Sequence, residues 1–179
     1  MPNSFLIRPA ELSDSEGIAQ VHTRSWQRAY RGLLPNEFLD NLRWQDRKVR
    51  WDAILKDQIV RNTFVVIGPE NVIVGFASTG PCRDDDLKGK DIFELYAIYL
   101  SPEVWGIGIG AKLFNNATRE IPIRFHSLSV WVLKENFRGR NFYENQGFEV
   151  DGATKMADID GHQLEEVRYR IPLPIHQGN

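Results

Sequence analysis

The sequence predicts one α/β domain whose mixed sheet carries a helix after each of its two central strands. Three observations lead there. Runs rich in β-branched and aromatic residues at 63–67, 72–77, 92–100 and 127–133 read as strands. Segments with apolar residues at three- and four-residue spacing lie ahead of these runs and between them. No repeat, low-complexity tract or linker divides the 179 residues, so the domain is placed at 1–179 with its core at about 5–173. A chain of this length buries about 70% of the surface its unfolded form exposes, which supports a core without metal or disulfide staples.

In chain order, Phe5-Leu6-Ile7-Arg8 before Pro9 is a short strand. Ser13 and Glu16 have the spacing of a capping box, in which each side chain satisfies a backbone donor of the other. A helix follows, with Ile18, Val21, His22, Ser25 and Ala29 on one face and Gly32 at its end. Residues 36–58, with Phe38, Leu39, Leu42, Trp51, Ile54 and Leu55, read as one or two short helices. Two β-branched runs around Gly68-Pro69-Glu70-Asn71 form a hairpin, and the polar stretch from Pro81 to Asp91 is a loop. Ile92 to Leu100 is apolar on both alternating faces, as a strand covered on both sides must be. The spacing then predicts a helix over 108–119, a strand over 127–133, a helix over 137–145 closed by Gly147, and strands over 148–154 and 164–173.

Composition narrows the function. Lys+Arg 22 against Asp+Glu 24 leaves a net charge of −2, without the basic excess that nonspecific binding to nucleic acid or an anionic membrane requires. Cys82 is the single cysteine, which precludes an intramolecular disulfide and favours a reducing compartment, so a cytoplasmic location is expected. The N-terminus lacks a cationic segment followed by an apolar one, and no apolar run approaches the roughly 18 residues of a membrane span. The four histidines have no metal-ligand spacing, and no Gly-x-Ser-x-Gly elbow occurs; no metal is expected.

Chemistry concentrates after residue 90. Glu94 is the charged exception within the apolar central strand; it is either at a wet strand end or a partly desolvated carboxylate available as a base. Trp105-Gly106-Ile107-Gly108-Ile109-Gly110-Ala111 then opens a helix. Glycines there let a ligand approach the backbone, and the unpaired first amides of the helix favour a phosphate or diphosphate. A P-loop is excluded, because Lys112 is followed by Leu113 and not by Ser or Thr. The dinucleotide fingerprint Gly-x-Gly-x-x-Ala is matched by Gly106, Gly108 and Ala111, but Ser101 to Trp105 separate it from its strand, and too few strands follow for two nucleotide-binding halves. Further on, Asn136, Gly139 and Tyr143 share one helix face and suit a slender amide-bearing arm, although Asn136 alone fits an N-cap and Tyr143 alone a core ring. Asp84, Asp85 and Asp86 read either as a solvated loop or as groups facing a cationic acceptor, and Trp26 and Tyr30 as core or as acceptor wall.

Two segments carry a family resemblance. Glu94-Leu95-Tyr96-Ala97-Ile98-Tyr99-Leu100-x-Pro102 followed by the glycine turn resembles the acyl-CoA segment of the GCN5-related N-acetyltransferases. Asn136-x-x-Gly139-x-x-Phe142-Tyr143-Glu144-x-x-Gly147-Phe148 resembles that family's later segment. Ile7-Arg8-Pro9-Ala10 and the helix after it are also similar. The family usually has Gln or Arg where Trp105 stands. The resemblance implies a mostly antiparallel sheet flanked by helices and an acetyl-CoA-dependent transferase acting on a primary amine by direct transfer. It also implies cofactor contacts at Ile98, Leu100, Trp105, Gly106, Ile107, Gly108, Gly110, Ala111 and Asn136, and Tyr143 as the group that protonates the departing thiolate. An alkylamine is almost wholly protonated at pH 7, so a base is needed, and Glu94, directly or through water, is the candidate. A bulge near Ile98 or Leu100 would expose a backbone amide to the reacting carbonyl. The acceptor amine is not legible, a homodimer is left open, and a noncatalytic acyl-CoA-sensing module is the alternative.

Overall fold

A parallel strand pair needs a crossover, and the helix that follows the glycine turn supplies it. In the computed structural model, which describes residues 5–56 and 62–175, β4 (Ile92–Leu100) runs into α4 (Ile109–Arg119) and returns as β5 (Ser127–Leu133), parallel to β4. The remaining strands are β1 (Leu6–Pro9), β2 (Asn62–Ile67), β3 (Ile73–Pro81), β6 (Glu149–Ile159) and β7 (His162–Pro172). All other pairings are antiparallel, in the order β1-β2-β3-β4-β5-β7-β6. The helices are α1 (Ser15–Ala29), α2 (Asn36–Asp40), α3 (Trp44–Lys56), α4 and α5 (Phe137–Asn145). The 36–58 stretch is thus two helices; residues 57 and 58 lie outside the described residues.

The start of α1 differs from the expected Ser13–Glu16 box. Leu12–Asp14 forms a 3-10 turn, and Asp14 closes the entry instead. Its Oδ2 accepts from the Glu11 amide at 2.7 Å, and Arg8 donates to both carboxylate oxygens at 2.6 and 2.9 Å. A carboxylate answers an amide and a guanidinium together, which the Ser13 hydroxyl cannot.

One side of the sheet is covered by α1 and α3, where Ile18, Val21, Trp51 and Leu55 pack on Val65 and Phe76. The other is covered by α4, whose Leu113 packs with Phe64, Val66 and Ala77, and whose Phe114 packs with Phe93, Leu95 and Phe148. β4 changes phase between these layers. Phe93 and Leu95 face the α4 side, whereas Ala97 and Tyr99 face α1 and α3, and Ile98 and Leu100 take over the α4 side. The cause is a bulge: Ser78 pairs with Ala97 and Thr79 with Leu95, so the register shifts by one residue around Tyr96. The bulge therefore lies at Leu95–Ala97, upstream of the position near Ile98 or Leu100 at which one was expected.

Pairing of β4 with β5 stops at Glu94–Ser129, and beyond it the strands part. At the far edge, β6 and β7 are longer than expected and form a single hairpin over 149–172. Asp160 and Gly161 make its turn, with φ of 53° and 78°, the combination that a two-residue type I′ turn requires.

Candidate active site

A cavity of about 820 Å³ opens where β4 and β5 separate. Its walls come from Glu94–Leu100 of β4, Val130–Leu133 of β5, the turn into α4, the inner face of α5, His22 to Ala29 of α1 with Tyr30 just beyond it, and the β6–β7 hairpin. Of the residues expected at a site, Glu94, Ile98, Leu100, Trp105, Gly106, Gly108, Gly110, Ala111, Asn136, Tyr143, Trp26 and Tyr30 all border it. Ile107 does not, and its side chain is 57% exposed.

The glycines of the turn divide by role. Gly106 and Gly108 have φ of 78° and 81°, and a β-carbon on either would meet nothing within 4 Å. Their conformation demands glycine, and the space beside them is open. Gly110 is different, because a β-carbon there would come 3.2 Å from Phe142 and 3.3 Å from Leu100, so it lets α4 pack closely. Gly108 caps α4, which places the unpaired first-turn amides and the positive dipole end at the cavity. This is a cradle that suits a diphosphate. The Leu100 carbonyl beside it accepts from Ser25 Oγ at 2.7 Å and from Trp105 Nε1 at 2.8 Å, which ties the strand end to α1 and fixes the indole.

On α5, Asn136 is the N-cap, its Oδ1 accepting from the Gly139 amide at 3.0 Å. The carbonyl half of its amide is engaged locally, and Nδ2 is the half left for a ligand. A β-carbon at Gly139 would lie 2.7 Å from that Nδ2, so glycine keeps the amide in place. Tyr143 is 8% exposed, and burial, with Tyr99 nearby, pushes its phenol well above the ordinary value. It stays a neutral donor. Two more phenols adjoin it, Tyr30 and Tyr99, whose hydroxyls are 3.1 Å apart. Burial raises both, and the charge of Glu166 adds to the rise.

Glu94 is buried, and Arg83 closes on it. The Arg83 backbone amide and Nε donate to Oε2 at 3.0 and 3.1 Å, and Nη2 donates to Oε1 at 2.5 Å. The carboxylate is thus neither at a wet strand end nor bare; its remaining acceptor capacity lies chiefly on Oε1. Asp85 and Asp86 are exposed, but Asp84 and Asp86 are also engaged in ion pairs. They hold Arg168, itself 5% exposed, together with Asp151 of β6, at 2.7 to 3.0 Å, and Asp84 also accepts from Trp131 Nε1. These bonds draw the β3–β4 loop, and Arg83 with it, against the hairpin.

Sequence reasoning missed four contributors. Arg83 was hidden in a polar loop, and His22 read only as part of an α1 face. Glu166 and Lys155 lie on the hairpin that was read too short. Glu166 borders the cavity, is 20% exposed and lies 3.5 Å from Lys155 Nζ. The Asp160-Gly161 pair was the available signal for that hairpin.

With this geometry established, residues 22–148 match the model of the acetyltransferase (GNAT) family. The chain belongs to the GNAT acetyltransferase family. It is 35% identical over 131 residues to the uncharacterized N-acetyltransferase YuaI of Bacillus subtilis, covering 73% of this chain and 72% of that protein. It is 25% identical over 165 residues to a spermidine N(1)-acetyltransferase of Thermoplasma acidophilum, covering 88% and 92%. Among solved structures, the paiA N-acetyltransferase of Thermoplasma acidophilum in complex with coenzyme A superposes with a TM-score of 0.69 at 20% identity, covering 92% of this chain and 98% of that one. The acetyltransferase yncA of Salmonella typhimurium, with acetyl-CoA, gives 0.69 at 18% identity and 98% coverage of both chains. GNAT membership makes this chain an acyltransferase and sets aside the dinucleotide reading of Gly106, Gly108 and Ala111. No described helix is long and apolar enough to cross a membrane.

Proposed function

We propose that the chain transfers the acetyl group of acetyl-CoA to a primary amine by direct transfer. The observation that carries this reading is the open, left-handed Gly106–Gly108 turn at the parting of β4 and β5, with Tyr143 on the same cavity. Acetyl-CoA supplies the activated acyl group as cosubstrate. The turn and the first amides of α4 hold its diphosphate, the unpaired edge of β4 around Ile98 and Leu100 lines its amide-bearing arm, and Asn136 Nδ2 donates to that arm. Tyr143, kept neutral, donates a hydrogen bond to sulfur as negative charge builds there. A thiol leaves with a pKa of about 8.5, so the phenol assists departure without having to ionise.

Glu94 takes the amine's proton through a water at Oε1, the oxygen that keeps acceptor capacity. Glu166 is the second carboxylate on the cavity, and its charge reaches the phenols of Tyr30 and Tyr99. Trp26 and Tyr30 form part of the acceptor wall. The test is CoA release from acetyl-CoA with a panel of amines that includes polyamines, amino acids and lysine peptides. Steady, amine-dependent release is expected with at least one of them. Tight CoA binding without release for any amine would assign the cavity to a sensing module instead.

A further inference from the structure

We propose that Arg138 of α5 supplies the side-chain cation that holds the cofactor's diphosphate, with the Trp105 ring as the shelf that positions it. The inference rests on the acetyl-CoA reading of the glycine turn. The Arg138 guanidinium carbon lies 3.9 Å from the centroid of the Trp105 ring, and both residues border the cavity beside Gly106 and Gly108. The shelf is rigid, because the indole nitrogen is fixed to the Leu100 carbonyl at 2.8 Å. A guanidinium held over an indole face keeps N–H groups free, and these match phosphate oxygens in two-point contact.

Among the described residues, the charge of Arg138 has no carboxylate to answer it. It occupies the first turn of α5, where the macrodipole favours an acid, and neither α5 nor α4 carries an acidic residue in that turn. Two helix N-termini and a guanidinium therefore line one cavity with no carboxylate paired to that guanidinium. An anion is what makes this arrangement favourable. Trp105 itself brings no charge to the turn, and the cation arrives from the neighbouring helix.

The test is equilibrium binding of CoA and of 3′-dephospho-CoA to wild type, Arg138→Gln, Trp105→Leu and the double variant. Arg138 is exposed, so its replacement leaves the core intact. Loss of one charge-assisted contact predicts roughly ten- to thirtyfold weaker binding of both nucleotides to Arg138→Gln. Trp105→Leu should show a loss of similar size, and the double variant should be little worse than either single one, because shelf and cation act as a unit. Unchanged affinity in Arg138→Gln, with wild type binding normally, overturns the proposal. Weakening of CoA alone would overturn the diphosphate assignment and move Arg138 to the 3′-phosphate. Wild type that binds neither nucleotide would instead refute the acetyl-CoA reading on which the proposal stands.

Discussion

Tyr143 combines the donor chemistry of a phenol with full burial, and its burial decides the form in which it acts. Because burial holds the phenol well above its ordinary value, it is protonated near neutral pH, and in the proposed reaction it would act at the stage at which sulfur becomes negative. Tyr143→Phe keeps the ring and removes the donor, so kcat should fall by roughly 10²-fold with acetyl-CoA affinity unchanged. A kcat equal to wild type under conditions where chemistry limits the rate would return Tyr143 to core packing. The two carboxylates can be separated in the same manner. Glu94→Gln should lower the rate near pH 7 by roughly 10²-fold, with partial recovery at high pH as more of the amine arrives deprotonated. Glu166→Gln should leave kcat near wild type and act chiefly on KM for the amine. If instead the loss and its recovery at high pH appear in Glu166→Gln alone, the base is Glu166, and Glu94 serves to anchor Arg83.

The turn and the bulge show how an element imposes geometry that no single side chain carries. At Gly108 a β-carbon meets open space, so a substitution acts through φ and through the ligand, not through a clash. Holding alanine in the left-handed region costs about 1–2 kcal/mol, which for a chain of this size lowers Tm by roughly 2–8 °C. The same methyl enters the cradle, and CoA binding should weaken by roughly tenfold or more in Gly108→Ala, as expected for one lost charge-assisted contact. Thermal melts with and without CoA measure both; an undiminished CoA-dependent rise in Tm would place the diphosphate elsewhere. Legibility in the sequence followed the physics of each element. α5 and β4 were readable to the residue, because one has a strong cap and periodicity and the other an apolar run interrupted by Glu94 alone. The end of β6 was not, because an edge strand with polar residues toward water on most positions carries no alternation. Arg83 and the Arg168 network were invisible for a different reason: pairing of charges distant in sequence leaves no local pattern. The glycine turn was legible and the opposite end of the cavity was not, since the latter is assembled from α1, the β3–β4 loop and the misjudged hairpin.

At the scale of the molecule, the helical layer meets the sheet at His22, whose burial ties stability to pH. The ring stacks on Tyr99 of β4 at 5.0 Å and meets Phe76 of β3 and Trp51 of α3 edge-on, so it joins α1, α3 and the sheet. Trp51 Nε1 points at its Nδ1 at 3.3 Å, and Arg47 Nη1 lies 3.0 Å from its Nε2. Both neighbours are donors only, whereas a neutral imidazole offers one acceptor and an imidazolium none. Protonation would therefore set N–H against donor on both sides, in addition to burying a charge beside Arg47 and Arg50. Burial first, and these two arginines next, hold the His22 pKa well below its ordinary value. The unfolded imidazole takes its proton near pH 6.5, so in the interval between the two pKa values the unfolded chain binds one proton more than the folded one, and stability rises with pH. On acidification from pH 7, stability should begin to fall near pH 6.5 and decline at up to about 1.4 kcal/mol per pH unit, equivalent to roughly 3–5 °C in Tm per unit. His22→Gln cannot take up the proton, and although it loses the ring contacts and starts from a lower Tm, its Tm between pH 6.5 and 5.5 should be flatter than that of wild type by roughly 2–4 °C, since the slope is only half developed at pH 6.5. Parallel Tm–pH curves for the two proteins would mean that His22 is charged in the fold and that Arg47 or Trp51 turns away from it.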